Sequence, residues 1–205
     1  MIEDMRNLVR KGYDNGKYDV KYGRTNSIPE NFARSLCDEL ISQLKPNSKI
    51  LDLGCGNGLP FDKYFSKKGL SVTGIDISER HIEKAKRNVK SAKYILGDFF
   101  SKEIKGKFDA IVSFYAIFHI PRTEHQKLLN HINSLLKKGG LILLTFGLDS
   151  MKYDFNPNFA GAPMAWSSYA ADKNKKLVEK AGFEILISTE DYRRERHLWI
   201  LAKKK

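Results

Sequence analysis

Residues 51–58, Leu-Asp-Leu-Gly-Cys-Gly-Asn-Gly, combine an apolar run with a glycine-rich turn and a carboxylate. The run from Lys49 to Leu53 reads as a buried strand. Gly54, Gly56 and Gly58 let the chain turn tightly and approach a ligand, and Pro60 suits the first turn of a following helix. Free amides in such a turn would face an anionic group. A dinucleotide loop needs Gly-x-Gly-x-x-Gly, and here Leu59 stands where the last glycine would fall. That argues against a pyrophosphate. With Asp52 inside the motif, the turn suits a ligand with both an ammonium and a carboxylate, the acid favouring the one and backbone amides the other.

A second acid, Asp76, ends another strand-like run, Gly74-Ile75-Asp76-Ile77-Ser78, close to the interval of about 20 residues at which a nucleotide-binding unit places its ribose acceptor. Taken alone, Asp76 also reads as a helix cap, and Asp98, in Leu96-Gly97-Asp98-Phe99, as a turn residue. Phe108-Asp109-Ala110-Ile111-Val112-Ser113-Phe114 makes a fourth apolar run. In this order the motifs resemble the class I S-adenosylmethionine-dependent methyltransferases, closely over about residues 48–146. The resemblance implies S-adenosyl-L-methionine as cofactor, cradled by Asp52, Gly54, Cys55, Gly56 and Gly58. It implies Asp76 on the ribose hydroxyls, Ile77 on the adenine and Asp98 at the adenine amine, with Phe99 beside it and Phe114 near the transferable methyl group. It also implies a Rossmann-like three-layer α/β sandwich, its seven-stranded sheet ordered 3-2-1-4-5-7-6 with strand seven antiparallel.

Methyl transfer from a sulfonium is an in-line displacement, so the protein must align a nucleophile, exclude water and remove a proton where one must leave. After the fourth run, Tyr115-Ala116-Ile117-Phe118-His119-Ile120-Pro121 offers His119 as a base or substrate-orienting group, or as a hydrogen-bonded structural histidine. Near the carboxyl terminus, Arg196 and His197 sit on an expected hairpin overhanging the same edge, with His197 the second catalytic candidate. An anionic guest fits there, as does a merely solubilising charged tip. Residues 147–171, too aperiodic for one helix, read as a long substrate-side loop. Residues 1–26, with repeated tyrosines, read as a lid, and the resemblance carries Tyr18 to the cofactor.

Absences narrow the acceptor. Ser113-Phe114-Tyr115-Ala116 is not the Asn-Pro-Pro-aromatic pattern of base-amine methylation, no Pro-Cys nucleophile stands in the chain, and no metal-ligand spacing is evident. A small-molecule acceptor is the default. RNA or protein methylation, a non-catalytic cofactor-binding module and a nicotinamide oxidoreductase are the alternatives.

The 205 residues carry a net charge of +12 with 41% hydrophobic content, enough for one well-buried domain. The lysines are scattered and not interleaved with aromatics, which argues against nucleic acid. Cys37 and Cys55 give no disulfide framework. No apolar run suggests a membrane span or secretory signal, so a cytoplasmic monomer or homodimer is expected.

The elements alternate as a parallel sheet requires. Ser27 to Glu30 reads as a capping box before a helix burying Phe32, Leu36 and Leu40. Ser78 caps a helix with Ile82 and Ala85 inward, and Thr123 to Gln126 reads as another box before Leu128, Leu129, Ile132, Leu135 and Leu136. After Gly139-Gly140, strand five starts at Leu141. Asp172 reads as the cap of the next helix, ended by Gly182, and two strands close the chain.

Overall fold

The computed structural model describes residues 4–16, 32–192 and 196–205. Seven strands form the central sheet: β1 (Lys49–Leu53), β2 (Ser71–Asp76), β3 (Lys93–Leu96), β4 (Phe108–Ser113), β5 (Leu136–Gly147), β8 (Phe183–Asp191) and β9 (His197–Lys204). Two more, β6 (Met151–Phe159) and β7 (Ala162–Ser168), pair only with each other. The order is β3-β2-β1-β4-β5-β9-β8 with β9 alone antiparallel, which is the expected topology.

Strand period two divides the core. Ile50, Ala110, Val112, Leu143 and Trp199 face α2 (Phe32–Ser42) and α3 (Phe61–Lys67). Leu51, Leu53, Ile111, Leu144 and Ile200 face α5 (His125–Leu135) and α6 (Ala171–Lys180). Each fully buried Leu or Ile contributes about 1.5–3 kcal/mol, so both layers hold the sheet firmly. Helix α4 (Glu79–Asn88) packs over β2 and β3 after its cap, Ser78, whose hydroxyl accepts from the His81 amide at 3.1 Å. No helix among the described residues is long and apolar enough to cross a membrane.

Four local expectations are corrected. Residues 147–171 are not one loop: they contain the β6–β7 hairpin, hidden from the sequence because β6 is exposed along nearly its whole length and shows no apolar alternation. Strand β5 starts at Leu136, its first residues pairing irregularly with β4 near Phe108, so Leu136 leaves the helix stripe. Thr123 caps nothing, because Arg122–Glu124 forms a 3-10 turn and α5 begins at His125 without a side-chain cap. The cap position of α6 is Ala170, and Asp172 lies in the first turn. The box at 27–30 lies outside the described residues.

The unanticipated element is α1 (Met5–Asp14). Met5, Leu8, Val9 and Gly12 lie on one helical face, and Met5 and Leu8 cluster with Ala165 of β7. At Gly12 a Cβ would come within 2.5 Å of the Pro163 carbonyl oxygen, so the glycine lets helix and hairpin touch. α1 is thereby laid across the carboxyl ends of the strands.

Candidate active site

At that edge a crevice opens between α1 and the turns after β1, β2 and β4. Gly54, Gly56, Asp76, Ile77, Asp98, Phe99, Phe114 and His119 all line it. The glycine turn is bent as its residues allow, with φ of 80°, 55° and 75° at Gly54, Gly56 and Gly58, and a side chain at Gly54 would meet Ala116 at 2.4 Å.

The loop amides are not free for an anion. Gly54 and Cys55 both donate to the Ile75 carbonyl, Gly58 donates to that of Cys55, and the Gly56 amide donates to Asp76 Oδ2 at 2.8 Å. These four amides therefore offer no cradle to a pyrophosphate, nor to the ligand carboxylate that the sequence suggested they would meet.

Asp76 is the best-defined acid. Its Oδ1 accepts from the Ser78 amide at 2.9 Å and lies 3.5 Å from His81 Nδ1. Burial works to raise its pKa, but His81 and the two amides outweigh burial and hold it below the usual carboxylate value. Asp98 caps its own turn, accepting from the Phe100 amide at 2.9 Å, and its other oxygen lies 3.8 Å from Arg6 Nε. Asp98 therefore forms its turn and also lines the crevice.

His119 is held at both ring nitrogens. Nδ1 lies 2.9 Å from the Ala165 carbonyl oxygen, which only accepts, so Nδ1 carries the proton; Nε2 then accepts from the Tyr13 hydroxyl, also at 2.9 Å. Burial pushes its pKa down to about 4, leaving the ring neutral near pH 7.

Other predicted residues lie elsewhere. Asp52 is buried and absent from the lining: it shares the strand parity of Ile50, which turns it toward the layer holding Cys37. Cys55 and Gly58 also sit behind the lining. Both cysteines are buried, and burial raises both thiols far above their usual range. Tyr18 lies outside the described residues. His197 borders a neighbouring cleft.

Three contributors escaped the sequence reading. Arg6, Tyr13 and His81 line the crevice. Arg6 grips Glu124 through two bonds, 3.1 and 2.6 Å, pinning α1, and that pairing lowers the Glu124 pKa. The i, i+3, i+4, i+7 spacing of Met5, Leu8, Val9 and Gly12 was the available signal for this helix. Among the described residues no group of three or more His, Cys, Asp or Glu is arranged to hold a metal.

Comparisons with known proteins agree with this architecture. A family model described as a methyltransferase domain matches residues 27–187. An uncharacterised methyltransferase of Synechocystis sp. is 27% identical over 70% of this chain and 70% of its own length. The ubiquinone biosynthesis O-methyltransferase of Pelagibacter ubique is 30% identical over 70% of this chain but only 62% of its own, less than two thirds. The crystal structure of magnesium protoporphyrin IX methyltransferase from Synechocystis PCC 6803, with bound S-adenosylhomocysteine, superposes with a TM-score of 0.73 over 98% of this chain and 100% of that one, at 18% identity. With the family model covering well over half of its length, the chain belongs to the class I S-adenosylmethionine-dependent methyltransferases.

Proposed function

We propose that the crevice binds S-adenosylmethionine and that the protein transfers its methyl group to a small-molecule acceptor. The residues fit that cofactor: a carboxylate held ionised at the crevice wall for two hydroxyls, apolar Ile77 and Phe99 for a flat base, Asp98 for an exocyclic amine, and a bent glycine turn where bulk is excluded. Bound there, the cofactor supplies an electrophilic methyl carbon whose bond to sulfur breaks as the acceptor's lone pair takes the carbon, leaving a neutral thioether. α1 covers the crevice and excludes water. His119 Nε2 accepts from the Tyr13 hydroxyl at 2.9 Å and so orients that phenol, and both side chains line the crevice where the acceptor must be held.

The observation that carries this reading is the Asp76 carboxylate, fixed by the Gly56 and Ser78 amides beside Ile77. Calorimetry with S-adenosylhomocysteine tests it. Asp76→Asn should weaken binding by about 1–3 kcal/mol, the scale of lost hydrogen bonds to a charged group. Unchanged affinity would remove the assignment. A metabolite screen following label from methyl-labelled cofactor would then identify the acceptor.

A further inference from the structure

A second cleft, open to solvent, lies between the β6–β7 hairpin and the start of β9. Its apolar walls are Phe118, Phe155, Phe159 and Trp166. Phe159 and Trp166 meet edge to face at 4.8 Å, and Phe155 is left 43% exposed at the rim. Exposed aromatics beside a concavity mark a place where a flat apolar body is received.

This cleft adjoins the crevice. His197 stacks on Phe118 with ring centres 5.4 Å apart and meets Tyr115 at 4.9 Å, and Tyr115 lines the crevice. Tyr115 holds a φ of 58°, uncommon for a bulky residue, with its amide donating to Thr145 Oγ1 at 2.6 Å. Such strain collects at functional sites.

The charge of the lining indicates what the body carries. Among the described residues the cleft presents Asp149, Asp154 and Arg196. Arg196 Nε lies 3.4 Å from Asp149 Oδ2, and its guanidinium covers the Tyr192 ring at 5.4 Å, so this cation is already committed. Asp154 makes no salt bridge among the described residues and pairs across the hairpin with Trp166, which puts a carboxylate beside the indole. The anionic guest expected from Arg196 has no uncommitted cation among these three groups, whereas an ammonium finds both a carboxylate and aromatic faces.

We propose that this cleft is the acceptor subsite and that it takes an aromatic small molecule bearing a basic nitrogen, the ring against Trp166 and Phe159 and the nitrogen toward Asp154. The word acceptor rests on the methyltransferase reading; the binding does not.

The test titrates the whole protein, loaded with S-adenosylhomocysteine, with tryptamine and separately with indole-3-propionate, following the Trp166 indole resonance by NMR. Tryptamine should shift that resonance saturably, and the acid at equal concentration should not. Asp154→Asn should weaken tryptamine at least about tenfold while calorimetric affinity for S-adenosylhomocysteine is kept. No shift, equal response to both probes, tighter binding of the acid, or an unaltered Asp154→Asn would overturn the proposal. If S-adenosylhomocysteine itself does not bind, the methyltransferase reading fails, and the tryptamine result still judges the cleft.

Discussion

His119 illustrates how much a single side chain depends on its neighbours. A free imidazole would titrate near 6.5, but here the ring is buried, its Nδ1 proton is held by a carbonyl and its Nε2 by a phenol. The ring should therefore remain in the neutral Nδ1–H form from pH 8 down to 5. NMR of the imidazole nitrogens checks this, and a midpoint near 6.5 would place His119 in water rather than under β7. Which residues the sequence disclosed follows from range. Asp76, Ile77, Asp98, Phe99 and Phe114 were legible as crevice residues because they lie at or just past the ends of β2, β3 and β4, where local pattern and topology agree. Asp52 was expected at the ligand but does not line the crevice, because strand parity, shared with Ile50, sends it into the α2–α3 layer. Tyr13 and His119 are far apart in sequence, and nothing local in either segment announces their bond.

Among the elements, α1 and the β6–β7 hairpin were the least legible: α1 lines the crevice, and the hairpin packs against α1 and borders the second cleft. Sheet order followed from alternation of apolar runs with capped helices, whereas an exposed hairpin lacks the one-sided burial that writes a period of two into a strand. Their contact supplies a test with opposed signs. Replacing a mid-helix glycine by alanine ordinarily stabilises by about 0.5–1 kcal/mol, yet at Gly12 the new methyl would meet a backbone carbonyl at 2.5 Å. The carbonyl belongs to a paired strand and cannot swing aside as a side chain would, so sterics should prevail. Gly12→Ala is expected to speed amide exchange in α1 and weaken S-adenosylhomocysteine, with the central sheet's exchange unchanged. A stabilised α1 would mean that helix and hairpin do not pack this closely. Glu124→Gln should act on the same helix from its other side, removing the charge that Arg6 grips in two places. Because Glu124 is partly exposed, the loss should be small, about 1 kcal/mol or less, and should shrink further at high salt.

At the scale of the whole molecule, buried neutral histidines set the response to acid. His119 and His125 are both held down to about pKa 4, chiefly by burial, and His125 is fully enclosed beside Phe146 and Tyr169. In the unfolded chain each titrates near 6.5, so between pH 6.5 and 4 the unfolded state binds more protons and stability falls as pH falls. Above about 6.5 their contribution is complete. Asp76 and Glu124, with pKa values lowered by folding, add losses of the same sign only at more acidic pH, where carboxylates protonate. The melting temperature should therefore be level from pH 8 to 7 and decline from 6.5 toward 4.5. A chain of net charge +12 also repels itself more strongly as acid adds protons, and salt separates the causes: repulsion across the surface is screened, desolvation of a buried ring is not. At high salt His125→Gln should flatten part of the decline, since glutamine binds no proton in either state. A melting temperature that stays constant from pH 7 to 4.5 in the native protein would show that these rings are not enclosed as the core packing has them.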